Sequence, residues 1–362
     1  MIGTLARTLD NLLGRGEAAV TVPPLDGAMR PNRMLDEATI RLPLEGVDGL
    51  AVVGGVLHAS AGEGVFALSP GNEWTRRHSP GAQVTAISAI GPDGLAMALS
   101  SGEIVVTGGA FDGKLYRLGG EVACITAMVV RRGGLYVASG SAQHGVDDWQ
   151  RDLMERNASG SVWRIDLGNG EARRVAQGLA WPSGLEAADD HLVVSEAWRH
   201  RLIGMSLTQA PRTTVLAADL PAYPGRISSA SGGYWLAGFA PRSQLVEFVL
   251  REPAYRRRMM GEVPKAFWVA PTLRSGRSFY EPLQGGGVKH LGLLKPWAPT
   301  MSAGLCVQFD EAFQPRSSLH SRADGFTHGV TSVIEHDGYI YAAARGDEVV
   351  VALPMDVVGD QL

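Results

Sequence analysis

The sequence predicts an all-β protein, a six-bladed β-propeller, and three observations lead to this prediction. A strand-turn-strand-loop-strand unit recurs six times along the chain, and such repetition is typical of propellers. The early copies begin about 40 residues apart, which suits blades of four strands. The 362 residues include 46 glycines and 20 prolines, so the chain is rich in turns. A β-sandwich would explain the alternating strands but not the six-fold recurrence.

Each copy of the unit has the same internal order. A small or polar residue opens a short strand, a turn with Gly or Asp follows, and a second strand ends in small residues before a third, apolar strand. Gly and Asp supply the positive φ of tight turns, and small residues let backbones approach closely. The six copies cover residues 47–68, 84–106, 125–143, 182–207, 224–250 and 330–353.

The regions outside the copies complete the predicted organisation. Residues 1–40 form an N-terminal segment that packs on the propeller, with a short amphipathic helix at 4–13, and residues 41–362 form the propeller itself. The long gap before the last copy contains an inserted loop or helical segment around 264–300. The strands that end this gap are expected to complete blades five and six.

Composition limits the classes of function. A formal net charge of −4 gives no electrostatic case for a nucleic-acid or anionic-membrane partner. Cys124 and Cys306 lie in apolar stretches, and two thiols make neither a disulfide framework nor a zinc site. No stretch reaches the roughly 18 apolar residues of a membrane span, and residues 1–20 lack a signal-peptide pattern. We expect a cytoplasmic protein with a small-molecule partner, of unspecified oligomeric state.

Two central segments and the last copy resemble a known family. They read "GLAWPSGLEAADDHLVVSEAWRHRLIGMSL" (178–207), "LPAYPGRISSASGGYWLAGFAPR" (220–242) and "VTSVIEHDGYIYAAARGDEVVVALP" (330–354). The pattern resembles the strictosidine synthase-like family of the six-bladed propeller superfamily, which also contains gluconolactonase/regucalcin proteins and paraoxonases. The resemblance implies a ligand site at one end of the central channel, where the innermost strands open.

By this resemblance, one ring of residues surrounds that channel end. In the hydrolase branch, side chains at the positions of Asp48, Thr126, Ser183 and Gly225 hold a divalent cation. This chain keeps one carboxylate of that set, and Arg226 adds a positive charge. We therefore expect no tightly held metal or other cofactor, although calcium held weakly by Asp48, Thr126 and Ser183 stays open. The ring consists of Asp48, Thr85, Thr126, Ser183, Gly225, Arg226 and Thr331.

The last copy suggests a candidate acid/base. The condensing enzymes of the family use a Glu shortly before this copy, and alignment on "EHDG" (335–338) puts His328 there. A histidine can transfer protons near neutral pH. The alternative is a loop histidine that is hydrogen-bonded to backbone.

Other candidates lie on loops. His144 and Trp149 follow the third copy on a loop that the family uses near its pocket, although "DDW" (147–149) also suits a helix start. We interpret Glu196 as structural, with Arg199 or Arg201 as its partner.

Aromatic residues of the predicted insertion form a last group. Phe267, Trp268 and Trp297 could either roof an apolar pocket or pack in the core.

The main functional hypothesis is a hydrolase or lactonase that acts on a small carbonyl or ester compound at the channel end. Asp48 and His328 would handle protons or activated water, and Arg226 would hold an anionic group. A non-catalytic small-molecule-binding propeller and an amine–aldehyde condensing enzyme are the alternatives. The expected substrate-binding residues are Arg226, Ser183, Thr126, Thr331, His144 and Trp149.

Overall fold

The computed structural model describes residues 22–120, 122–188, 190–207, 212–278, 280–282 and 301–359. These residues form six antiparallel sheets of four strands each. The first strand of every sheet contacts the first strand of the next sheet, and the sixth sheet contacts the first. The sheets therefore surround a central channel as the blades of a six-bladed β-propeller, which confirms the predicted fold.

Four blades come from consecutive stretches of chain. Blade 1 contains β2 (Val47–Val53), β3 (Val56–Ala61), β4 (Gly64–Leu68) and β5 (Trp74–His78). Blade 2 contains β6 (Val84–Ile90), β7 (Gly94–Leu99), β8 (Glu103–Thr107) and β9 (Leu115–Arg117). Blade 3 contains β10 (Cys124–Arg131), β11 (Gly134–Ser141), β12 (Gly160–Asp166) and β13 (Ala172–Leu179). Blade 4 contains β14 (Pro182–Ala187), β15 (His191–Glu196), β16 (Arg201–Ser206) and β17 (Thr213–Ala217).

The last two blades contain an insertion and a strand from the start of the chain. Blade 5 contains β18 (Ala222–Ala230), β19 (Gly233–Pro241), β20 (Gly304–Asp310) and β21 (Pro315–Ser321). Blade 6 contains β22 (Val330–His336), β23 (Tyr339–Ala344), β24 (Val349–Pro354) and β1 (Ile40–Pro43). Ile40 pairs with Ala352 and Pro43 pairs with Val349, so the start of the chain closes the ring.

The second strands contain the small residues that the sequence places there. Ala59, Ala98, Ala138 and Ala342–Ala344 are all fully buried. Hydrophobic clusters fill the spaces between neighbouring blades, as in the cluster that joins blade 5 to blade 6 through Trp235, Leu319 and Val351. Small side chains suit this position because several strands converge there.

The insertion lies between β19 and β20 and begins earlier than predicted. It contains α3 (Gln244–Arg251), α4 (Pro253–Glu262) and a 3₁₀ turn (Lys265–Phe267). The prediction of an apolar strand up to residue 250 was wrong. Val246 and Val249 are buried at helical spacing and pack with Leu250 against the core, so the period is 3.6 rather than 2.

The strands after the insertion also differ from the prediction. Both β20 and β21 belong to blade 5, and blade 6 takes its fourth strand from β1. The expected contribution of this stretch to blade six was therefore wrong.

The remaining elements are short. The helices are α1 (Met34–Glu37), α2 (Trp149–Met154) and α5 (Met355–Gly359), and the 3₁₀ turns are Gly27–Met29, Gly109–Phe111, Val146–Asp148 and Ala197–Arg199. The helix predicted at residues 4–13 lies outside the described residues. Within the described part of the chain, no helix has the length and apolar character needed to cross a membrane.

Candidate functional site

A pocket opens at the channel end where the first strands of the blades begin. Its space is about 510 Å³, counting the open mouth. All seven residues of the predicted ring line it, together with Trp149 and several residues that the sequence did not single out. The lining residues are Asp48, Thr85, Thr126, Val146, Trp149, Trp181, Ser183, Gly225, Arg226, Phe239, Leu273, Thr331 and Arg345.

Arg226 holds the polar floor of this pocket together. Its Nη2 donates to Asp48 Oδ2 at 2.6 Å and to the Thr85 carbonyl at 2.8 Å. Its Nη1 donates to the Asp48 carbonyl at 3.1 Å. One guanidinium from blade 5 therefore joins blades 1 and 2 across the channel.

A second guanidinium reaches the same carboxylate. Arg345 Nη1 lies 3.4 Å from Asp48 Oδ1, and Arg345 Nη2 lies 3.5 Å from Asp147 at the rim. Burial alone would raise the pKa of Asp48, but the charges of Arg226 and Arg345 outweigh it and hold the pKa below its ordinary value. The floor thus has two positive groups and one negative group.

Hydroxyl groups of the ring connect neighbouring blades. Thr126 donates to the Pro182 carbonyl at 2.5 Å, and Ser183 donates to the Pro224 carbonyl at 2.6 Å. Thr331 donates to the Asp48 carbonyl at 2.6 Å. Each bond joins one inner strand to the first strand of the next blade, so these side chains already have partners.

The donor set does not fit a divalent cation. The carboxylate of Asp48 pairs with two arginines, while Thr126 and Ser183 donate to backbone carbonyls. The fourth position is Gly225, where a Cβ would lie 3.2 Å from the Ala237 carbonyl. Across the residues that the structure describes, no three His, Cys, Asp or Glu side chains are grouped to hold a metal.

Aromatic side chains form the wall above the floor. Trp149 and Phe239 pack edge to face with centroids 5.5 Å apart, and Trp181 stacks on Trp198 at 5.2 Å. The backbone of Trp181 has φ +55°, which is strained for so bulky a residue. This strain points to a constrained position for the indole at the pocket.

His328 lies outside the pocket lining and is fully buried. Its Nδ1 accepts from Arg274 Nη1 and from Ser302 Oγ, both at 2.8 Å, and its Nε2 donates to the Arg322 carbonyl at 2.8 Å. Burial and the charge of Arg274 lower its pKa. The imidazole therefore holds the end of the insertion against blade 6, which matches the alternative interpretation of this histidine.

The other loop candidate, His144, also lies outside the lining. Its Nε2 contacts Glu155 Oε2 at 2.7 Å, so only Trp149 of this loop pair faces the pocket. The Asp148 carboxylate beside them lies 2.8 Å from Lys265 Nζ, and this contact ties the insertion to the rim.

Two further sequence interpretations concern buried groups. Glu196 is fully buried and pairs with both Arg199, at 2.5 Å, and Arg201, at 2.6 Å. Trp268 is buried and donates to the Val263 carbonyl, so it packs in the core. Trp297 lies outside the described residues.

The sequence did not lead us to predict Arg345, Trp181 or Phe239 as pocket residues. The sequence positions of two of these residues could have indicated the pocket. Trp181 directly precedes the ring turn at 182–184, and Arg345 follows the small residues that end β23. Phe239 had no comparable signal, because its strand also carries core residues.

Comparison with known proteins supports the fold. No protein-family profile matches the sequence, and no curated protein matches it. Among solved structures, a gluconolactonase from Xanthomonas campestris matches at 14% identity over 93% of this chain and 95% of that chain, with a TM-score of 0.54. The described chain and this gluconolactonase share a six-bladed propeller fold. A luciferin-regenerating enzyme matches at 11% identity over 87% of this chain and 93% of that chain, with a TM-score of 0.51.

Proposed function

We propose that the channel-end pocket binds a small organic molecule that combines a flat apolar part with one carboxylate or carbonyl group. The observation that carries this proposal is a floor with two guanidinium groups and one carboxylate beneath an aromatic wall. Among the lining residues, positive groups outnumber negative groups by one, which suits a monoanion that takes the place of Asp147 at Arg345. The wall offers ring faces for a planar group.

Arg345 is the group that we expect to contact the ligand. Arg226 is fixed by short bonds to Asp48 and to backbone, whereas both contacts of Arg345 are 3.4 Å or longer. A guanidinium that is held loosely can turn toward a carboxylate and form a bidentate pair.

A binding screen tests this function. Thermal unfolding would be followed in EDTA with benzoate, phenylacetate and 3-phenylpropionate, and with the matching neutral amides. A carboxylate from this set should stabilise the wild type, and Arg345→Gln should remove most of the shift. Arg316→Gln removes an exposed guanidinium that pairs with Asp310 and is the matched control. No shift with any probe, or equal shifts in both variants, would contradict the proposal.

Hydrolysis of a lactone or ester is the second candidate. The juxtaposition of Asp48 with two guanidinium groups favours it, because such groups stabilise a developing oxyanion. Asp48 would accept a proton from water as the water oxygen adds to the carbonyl carbon, and would return that proton to the leaving alkoxide oxygen as the ester C–O bond breaks. The lowered pKa of Asp48 makes its carboxylate a weak base. Hydrolysis therefore has less support than ligand binding.

A turnover assay separates the two candidates. Acid release would be measured in EDTA with D-glucono-1,5-lactone, dihydrocoumarin and phenyl acetate. Turnover that is lost in both Asp48→Asn and Arg345→Gln would support hydrolysis. Turnover that requires added calcium would contradict the proposal that the pocket acts without a metal.

Amine–aldehyde condensation has the least support. The residue aligned with the required Glu is His328, which lies outside the pocket lining. The strictosidine synthase-like assignment and the cytoplasmic location stay predictions.

A further inference from the structure

A buried carboxylate lies behind the aromatic wall of the channel-end pocket. Asp152 belongs to α2 and is 1% exposed. Its Oδ1 accepts from Trp198 Nε1 and its Oδ2 accepts from Asn157 Nδ2, both at 2.7 Å. These partners are neutral, and a buried charge costs free energy when no opposite charge compensates it. An amide has only one acceptor oxygen, so a carboxylate is the group that can accept from both side chains.

Trp198 connects this carboxylate to the pocket. Its ring stacks on Trp181 with centroids 5.2 Å apart and on Trp149 with centroids 6.2 Å apart. Both of these indoles line the pocket, so Trp198 supports the wall from behind. The backbone N–H of Ala197 donates to the Trp181 carbonyl at 3.0 Å. The turn at Ala197–Arg199 therefore holds both the ring of Trp181 and its strained backbone.

The space beside Trp198 makes the bond to Asp152 important. Trp198 also lines a second cavity between α2, the turn and α3, with a space of about 900 Å³ that is partly open to solvent. The indole therefore has room to tilt away from Trp181, and stacking between two rings opposes such a tilt only weakly. A hydrogen bond to a carboxylate is stronger than one to a neutral acceptor, and this bond fixes the plane of the indole.

We propose that Asp152 is a positioning residue that makes the channel-end pocket select a carboxylate with an aromatic ring over its saturated counterpart. This inference rests on the proposed function. Asp152 fixes Trp198, and Trp198 keeps the ring of Trp181 in place for stacking. A flat ring depends on the orientation of the indoles, whereas a saturated ring contacts them through its bulk. The carboxylate of the ligand is unaffected, because Arg345 contacts Asp48 and Asp147 instead.

Calorimetric titration with matched pairs of carboxylates tests this role. The pairs are benzoate with cyclohexanecarboxylate, phenylacetate with cyclohexylacetate, and 3-phenylpropionate with 3-cyclohexylpropionate. The wild type should bind the aromatic member of at least one pair more tightly. Asp152→Asn should lower this preference about fivefold, mainly by weakening the aromatic member. Trp198→Phe keeps a ring but has no N–H to donate, so it should have a similar effect, and the double variant should lose little more.

A control variant and a second measurement separate positioning from stability. Asp36 is half-buried, and its Oδ1 accepts from Ser321 Oγ at 2.8 Å, which fastens α1 to blade 5. Asp36→Asn should keep the preference even where it lowers the melting temperature. Without ligand, the exciton signal of the stacked indoles in far-ultraviolet circular dichroism should weaken in Asp152→Asn and stay unchanged in Asp36→Asn.

The outcomes distinguish this inference from the proposed function. If the wild type binds an aromatic carboxylate and Asp152→Asn keeps the preference, the positioning role is overturned and the proposed function stands. Equal weakening of both members of a pair would also overturn the role, because Asp152 would then act on stability alone. If Asp152→Asn does not fold, Trp198→Phe decides by the same comparison. A wild type that binds no member of any pair would overturn both proposals.

Discussion

At the scale of single residues, polar groups at the channel end form a hydrogen-bonded network that connects neighbouring blades. Arg226 bonds to one side chain and to the carbonyls of two blades. Thr126 and Ser183 continue this pattern from blade to blade. The ring therefore stabilises the centre of the propeller as well as forming the floor of a pocket.

The pair of Arg226 and Asp48 yields a stability prediction. Both side chains are mostly buried, so Arg226→Gln leaves a buried carboxylate whose remaining charged partner is Arg345 at 3.4 Å. We expect the free energy of unfolding in urea to fall by roughly 3 kcal/mol. The pair of Arg117 with Glu103 at the surface is the control, and Arg117→Gln should leave the free energy of unfolding nearly unchanged because water screens exposed ion pairs.

A double variant distinguishes the pair from its parts. Asp48→Asn with Arg226→Gln should be more stable than the sum of the two single effects predicts, because the double variant removes the buried carboxylate together with its short-bonded guanidinium. If Arg226→Gln lowered the free energy of unfolding by less than about 1 kcal/mol, the pair would contribute little to the stability of the fold.

The residues of the ring could be predicted from the sequence. The hydrogen bonds that their side chains form with neighbouring blades could not. Ser183 and Thr331 were located because each opens a recurring strand. The direction of their hydroxyl groups depends on the neighbouring blade, which the strand pattern does not specify. His328 shows the same limit, because Arg274 and Ser302 come from the insertion.

At the scale of elements, the segment before β1 is fastened to blade 5. Asn32 donates to the Ser318 carbonyl at 2.7 Å and accepts from the backbone of His320 at 2.9 Å. The imidazole of His320 is buried here beside Ser318. Burial lowers the pKa of His320 to about 4.

This histidine predicts how stability depends on pH. Its pKa is about 4 when folded, against the ordinary value of 6.5 in the unfolded chain, so the unfolded chain binds more protons between these values. Stability is therefore complete above pH 6.5 and falls as the pH drops toward 4. We expect His320 to lower the free energy of unfolding at pH 5 by roughly 2 kcal/mol relative to pH 7.

Urea unfolding at pH 7 and pH 5 measures this effect. His320→Gln should lose less stability between the two pH values than the wild type, whatever its stability at pH 7. Equal losses in both proteins would show that His320 does not carry the dependence.

The insertion shows where element prediction failed. Residues 244–250 are mostly apolar, which fits a buried strand over a short window, yet they lie in α3. Burial of Val246 and Val249 against Trp268 and its neighbours decides the helix. That packing involves residues distant in sequence, which a short pattern cannot contain.

At the scale of the whole molecule, six sheets surround one channel, and Arg226 of blade 5 bonds to residues of blades 1 and 2 across it. The recurrence of the unit predicted this architecture, because each copy marks one blade. The closing strand β1 was not predicted, since four residues outside the recurring units carry little pattern.

The composition of the ring predicts that stability is independent of calcium. The carboxylate of Asp48 pairs with Arg226 and Arg345, so a cation would have to displace an arginine from the one anionic ligand and lie beside two positive charges. Thermal unfolding in 1 mM EDTA and in 1 mM calcium should give melting temperatures within about 1 °C. A rise of several degrees with calcium would show that the ring binds the metal.

We propose that the channel-end pocket binds a small anionic compound without a metal, through Arg345. Calorimetric titration in EDTA would measure the affinity of the aryl carboxylate that stabilises the protein most. We predict binding by the wild type and a loss of tenfold or more in Arg345→Gln, about 1.4 kcal/mol. Binding that appears only with calcium, or that Arg345→Gln leaves unchanged, would contradict this proposal.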